Sequence, residues 1–198
     1  LIGVLPQGSF MIFTGLPEAF FTYLKISFFA GLFVASPVVL YQIWKFISPG
    51  LYQKEKKYVV PFVITSTLLF VGGVCFAYFL VLPPAYKFFV DFSTDFFRPM
   101  FTLREYLSLT LKLLLAFGIV FEIPVFLFFM TKIGLVNPRI LARQRKYAIL
   151  IIFIAAAILT PTPDAFTQIL MALPMMVLYE IGILISKWGE RSRPAASE

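Results

Sequence analysis

Histidine is absent from this 198-residue chain, and with it the commonest general base and metal ligand. Cysteine occurs once, as Cys75 inside an apolar run, so no intramolecular disulfide can form. Charge is scarce: 14% of residues are Asp, Glu, Lys or Arg, against about a quarter in an ordinary soluble domain. There is no HExxH, no nucleotide-binding glycine loop, no GxSxG and no second intramembrane aspartate to make a dyad. An enzyme is therefore not expected, and neither is a cofactor or a metal. No secretory signal peptide opens the sequence, whose first residue is Leu1.

What the chain has in excess is apolar surface. It is 60% hydrophobic and 18% aromatic, with a mean hydropathy of +0.91. The excess is clustered in long blocks, which points to lipid as the solvent. Crossing the hydrocarbon core takes about 20 apolar residues in a helix. The blocks predict five transmembrane helices, over about 20–44, 59–82, 106–130, 147–159 and 166–186. The outer segment 1–19 precedes them and the basic tail 187–198 follows, all within a single integral membrane domain, 1–198. The fourth and fifth spans are separated only by Thr160–Asp164 and so form an antiparallel pair, the fourth being short for a full crossing. The fold class is all-α: a polytopic helical bundle made concave by proline kinks at Pro37, Pro61, Pro124 and Pro174.

The net charge of +7 is a topology signal rather than a nucleic-acid footprint, because the basic residues sit in short loops. Lys45, Lys54, Lys56 and Lys57 lie between the first two spans, and Lys132, Arg139, Arg143, Arg145 and Lys146 between the third and fourth. Lys187, Arg191 and Arg193 follow the last. By the positive-inside rule these face the cytoplasm, which puts the visible N-terminus outside and the C-terminus inside. An N-terminus outside without a signal peptide predicts a further span upstream of Leu1, six in all.

Glu122 is the most informative residue. It lies inside the third span, where a charge costs about 2.5–3.5 kcal/mol on insertion scales. Its carboxyl is therefore either neutral or in contact with a wet cavity or a polar partner. Lys112, ten residues earlier, is about 15 Å away along the axis and is expected to snorkel to the outer interface. At the outer start of the last span, Asp164 follows Pro163 and is placed to cap the helix, and Gln168 one turn on can bond across helices. Glu180 is expected near the inner interface. Glu55, by composition alone, is a solvated acid in a basic loop.

The sequence resembles the TatC family, the multi-spanning core subunit of the twin-arginine protein translocase. The resemblance rests on Leu5–Ser9, Ser36–Trp44 and Phe46–Tyr52 leading to Glu55, on Phe117–Pro124 around Glu122, and on Thr160–Gln168 with Leu173–Gly182. It implies a glove-like bundle in the bacterial inner membrane that recognises twin-arginine signal peptides. It also implies recruitment of the single-span partners TatA and TatB, homo-oligomers within a translocase complex, and export of folded proteins on the proton-motive force. Carried over by position, Phe46 and Glu55 match the signal-recognition loop, Glu122 the intramembrane acid, and Asp164 and Gln168 the docking site for partners or signals at the last span. A lysine trio, Lys54, Lys56 and Lys57, opposes a basic signal there, so Glu55 alone is not a sufficient receptor. From the residues alone a proton-coupled carrier of a small solute, or a structural subunit with no recognition role, stays open.

Overall fold

The computed structural model describes residues 11–12, 15–47, 59–91, 101–160 and 165–191. Its helices are α1 (Leu16–Ile47), α2 (Val59–Phe76), α3 (Leu82–Asp91), α4 (Leu103–Val120), α5 (Ile123–Lys132), α6 (Pro138–Arg143), α7 (Arg145–Leu159) and α8 (Ala165–Arg191). Two residue pairs, β1 (Met11–Ile12) and β2 (Phe101–Thr102), form a minimal parallel bridge. That bridge sets the starts of α1 and α4 side by side, where the Arg104 amide donates to Glu18 Oε1 at 3.1 Å.

Among the described residues, four helical stretches are long and apolar enough to cross a membrane: Pro17–Phe46, Val60–Phe88, Leu103–Lys132 and Ala165–Trp188. The fourth predicted span, α7, has 15 residues, about 22 Å of helix against a hydrocarbon core of about 30 Å. It packs against α8 as the short connection requires.

The prolines act differently from one another. Pro37 lies inside α1, which runs through it unbroken. A proline leaves the carbonyl four residues back without its donor, and here Ser36 Oγ donates to that carbonyl, Phe33 O, at 2.7 Å. The Ser36–Pro37 pair therefore repairs its own defect. Pro61 falls in the first turn of α2, where a missing N–H costs nothing. Pro174 is accommodated inside α8. Pro124 alone coincides with an interruption, the Phe121–Glu122 turn between α4 and α5. A second departure from α-geometry is a π-helical turn, Ala77–Val81, in which the Leu82 amide reaches back to Ala77 O. Pro83 and Pro84 follow it at once and supply no donors to the preceding carbonyls.

Local signals fix the helix ends. Thr102 caps α4 by accepting the Glu105 amide at 3.4 Å, and Asn137 caps α6 through Oδ1 to the Arg139 amide at 2.8 Å. Gly134, at φ 81°, ends α5 in the left-handed conformation that glycine adopts without strain. Between spans, small residues permit close approach, as they do in membranes generally. A Cβ on Gly73 would lie 2.5 Å from Phe117 O, and one on Gly182 would lie 2.8 Å from Leu127 Cδ1.

The main core gathers Tyr86, Tyr106, Leu113, Phe117 and Met171 from α3, α4 and α8. Within it Tyr86 Oη lies 2.8 Å from Thr110 Oγ1 and donates to Tyr106 O at 3.1 Å, joining α3 to α4. A smaller cluster of Trp44, Val125 and Phe129 closes the opposite end of the α1–α2–α5 contact.

Candidate functional site

Three consecutive hydroxyls occur in α2: Thr65, Ser66 and Thr67. Thr65 and Thr67 satisfy themselves on their own helix, donating to Pro61 O at 2.9 Å and Val63 O at 2.8 Å. Ser66 points inward instead and is wholly buried. Its Oγ accepts the Trp44 indole N–H from α1 at 2.9 Å, and the Glu122 carboxyl is a neighbour of its side chain. One hydroxyl thus joins α1 to α2 and lies beside the α4–α5 break.

Glu122 sits at that break. Pro124 cannot donate to Val120 O, and the Glu122 amide turns back to Ile119 O at 3.0 Å, tighter than an α-helical bond. The Phe126 amide takes Glu122 O at 2.9 Å, which starts α5. The side chain is half-buried, and its Oε1 is buried with no hydrogen-bond partner among the described residues. A carboxyl oxygen in that state is a standing demand for a donor. Lys112 does not supply one: it is exposed, and ten residues back on α4.

Trp44 is held rigidly. It is 6% exposed, stacks on Phe62 with centroids 5.3 Å apart, and takes the Phe129 ring edge-on at 4.9 Å. Two residues along the same helix, Phe46 is 85% exposed. An exposed aromatic thus stands at the last turn of α1, two residues beyond the buried indole that bonds Ser66. Glu55, in the loop that follows, lies outside the described residues, as does Asp164.

Gln168 lies elsewhere. Its Nε2 donates to Phe153 O of α7 at 3.0 Å, the cross-helix bond expected of it. Gly182, against Pro124, marks the level of Glu122 on α8. Gln168 is fourteen residues from Gly182 in the sequence, about 21 Å along the helix. The structure therefore brings Trp44, Ser66 and Glu122 together, leaves Phe46 exposed at the end of α1, and keeps Gln168 at the other depth of the bundle. Glu180 pairs with Arg145 in a two-bond contact, Nε to Oε1 at 2.8 Å and Nη2 to Oε2 at 2.8 Å, both side chains half-exposed.

Sequence reasoning passed over Ser66 and Trp44. The signal available for Trp44 was its place in the Ser36–Trp44 block. For Ser66 there was none, because a hydroxyl in a membrane helix usually bonds its own backbone, as both its neighbours do. No group of His, Cys, Asp and Glu that could hold a metal occurs among the described residues.

The profile of a family described as Sec-independent protein translocase protein (TatC) matches residues 2–174. The chain is 53% identical over 184 residues to the Sec-independent protein translocase protein TatC of Desulforapulum autotrophicum, an alignment covering 93% of this chain and 68% of that protein. The protein of the same name from Escherichia coli is 41% identical over 188 residues, covering 95% and 72%. Among solved structures, that of the twin-arginine translocase receptor TatC superposes with a TM-score of 0.83 at 43% identity, over 95% of this chain and 82% of that one.

Proposed function

This chain belongs to the TatC family and is a multi-pass membrane subunit of a Sec-independent protein translocase, a transport component and not an enzyme; from that premise we propose that it receives twin-arginine signal peptides at the Phe46–Glu55 loop and answers them at Glu122. The observation that supports the reading is the buried Glu122 Oε1, which has no donor among the described residues, beside the Ser66 hydroxyl that takes the Trp44 indole two residues before the exposed Phe46. The signal's guanidinium groups find in Glu55 a two-point, charge-assisted partner, and Phe46 gives the adjoining apolar residues a surface. The lysines around Glu55 discourage a merely basic peptide, so geometry rather than charge selects arginine.

Glu122 then serves partner helices. A polar side chain on a single-span subunit can give the Oε1 atom the donor it lacks, at a depth where an unmade bond is costly. Asp164 and Gln168 provide a second polar contact at the opposite depth, for partner or signal helices. On this reading the partners are TatA and TatB, the complex contains further copies of the chain, and transport of folded cargo draws on the proton-motive force. The chain is one integral membrane domain in the bacterial inner membrane, its basic loops cytoplasmic and the start of α1 periplasmic. A solute carrier and a purely structural subunit are the alternatives.

The two sites separate in one experiment. Complexes carrying Glu55→Ala are expected to retain partner subunits and lose signal-peptide binding, and those carrying Glu122→Ala to do the reverse. Unchanged signal binding and unchanged partner content in both variants would overturn the assignment.

A further inference from the structure

We propose that the α1–α4 face carries a binding site for one anionic phospholipid, its phosphate held by Lys25 and Arg104 and one acyl chain laid in the groove below.

Two concavities lie in series along the same pair of helices. The first, about 500 Å³, opens between the starts of α1 and α4 and is lined by Glu18, Thr22, Lys25 and Arg104. The second, about 330 Å³, continues from Ile26 through Ala30 to Phe33 on α1, with Leu111 and Leu114 on α4 and Cys75 on α2. The upper one has mixed walls, in which Glu18, Thr22, Lys25 and Arg104 are the polar residues, and the lower one almost wholly apolar walls. The lining residues of α1 recur at three- and four-residue steps, so both concavities share one face of that helix. Stacked in that order they match the two ends of a lipid.

Depth agrees with the assignment. The 32 residues of α1 span about 48 Å; centred on a hydrocarbon core of about 30 Å, the helix would extend about 9 Å beyond it at each end. Lys25 is nine residues into α1, about 14 Å from its start, hence about 5 Å below the hydrocarbon edge. An extended lysine spans that distance and delivers its ammonium to the phosphate level. Arg104, at the second position of α4, is already there. Phe33 lies seventeen residues into α1, about 16 Å below the same edge, which is the reach of an acyl chain rather than a headgroup.

Charge selects the lipid. Lys25 and Arg104 oppose the single carboxylate of Glu18, one oxygen of which already takes the Arg104 amide. Among the described lining residues one net positive charge remains, and one phosphodiester neutralises it. Phosphatidylglycerol supplies that charge with no ammonium of its own; phosphatidylethanolamine brings a cation that Lys25 and Arg104 repel. The Thr22 hydroxyl, buried in the same wall, offers the phosphate or the glycerol ester an uncharged partner.

Cys75, exposed in the groove and the only cysteine of the sequence, is the reporter. The full-length protein, carrying bimane at Cys75, is placed in phosphatidylcholine vesicles containing a minor fraction of phosphatidylglycerol or phosphatidylethanolamine with brominated acyl chains. Brominated phosphatidylglycerol is expected to quench about fivefold more strongly per mole, the effect of one net basic charge at a lipid surface. The preference is expected to vanish in Lys25→Gln/Arg104→Gln and to persist in Lys146→Gln. Ala30→Phe, which fills the groove and leaves the charges, is expected to weaken quenching by both lipids. Inorganic phosphate in excess should not disturb the preference. Equal quenching by the two lipids would overturn the proposal. So would a bimane that neither lipid reaches because a protein segment covers it, or a preference abolished by inorganic phosphate alone.

Discussion

The indole N–H of Trp44 donates to Ser66 Oγ at 2.9 Å, across two helices and in full burial. Serine has one proton to give and lone pairs to accept. The Trp44 indole occupies its acceptor side, and the Glu122 carboxyl is its neighbour. The indole-to-hydroxyl bond thus ends beside the carboxyl of the α4–α5 break.

Ser66→Ala leaves one buried group, the Trp44 N–H, short of its partner. The expected loss is about 1–3 kcal/mol, the range for a buried polar group left unsatisfied. Thermal unfolding in detergent measures it. A cycle with Trp44→Phe checks the linkage, since residues sharing one hydrogen bond couple by at least about 0.5 kcal/mol. Additive losses would mean that the two act separately.

Gly73 and Gly72 make a matched pair. A Cβ at Gly73 meets Phe117 O at 2.5 Å and the Phe121 side chain at 2.8 Å, whereas one at Gly72 meets nothing within 4 Å. Gly73→Ala should therefore destabilise by about 1–3 kcal/mol through overpacking of a backbone carbonyl that cannot move alone. Gly72→Ala should be neutral or gain up to about 1 kcal/mol from helix propensity. Unfolding midpoints of the two variants decide the matter.

Gln168→Leu removes a donor from Phe153 O. That carbonyl lies inside α7, and such cross-helix bonds in membranes average about 0.6 kcal/mol. The variant should stay within about 1 kcal/mol of the parent in stability while losing crosslinks to partner helices at the start of α8. A loss of several kcal/mol would make the residue structural first.

The Arg145–Glu180 pair joins α7 to α8 with good two-point geometry, but both side chains are half-exposed. Solvent screens such pairs, so Glu180→Gln should cost less than about 1 kcal/mol. Measuring the unfolding midpoint at low and high salt checks this: the difference from the parent should shrink as salt rises.

Much of this bundle was legible beforehand because lipid imposes so direct a code. The apolar blocks correspond to α1, α2, α4–α5, α7 and α8, and the shortness of α7 follows from the nearness of Lys146 to Thr160. Glu122 was legible as a costly acid in an apolar span. Its surroundings were not, because Ser66 is 56 residues away in sequence and only the folded crossing of α2 with the α4–α5 break gives it that neighbour. The effect of each proline was equally hidden. Pro37 and Pro124 read alike in sequence, yet Ser36 mends one and the α4–α5 break follows the other. The π-helical turn before Pro83–Pro84 also had a local cause, two adjacent residues without amide protons, that the hydropathy pattern does not register.

The receptor reading is tested most directly by photocrosslinking from a probe at Phe46, in the full-length protein, to signal peptides bearing paired Arg or paired Lys. The account predicts crosslinks to the paired-Arg peptide alone, abolished by Glu55→Ala and retained in Glu122→Ala. Equal crosslinking to both peptides, or crosslinks indifferent to Glu55→Ala, would contradict it.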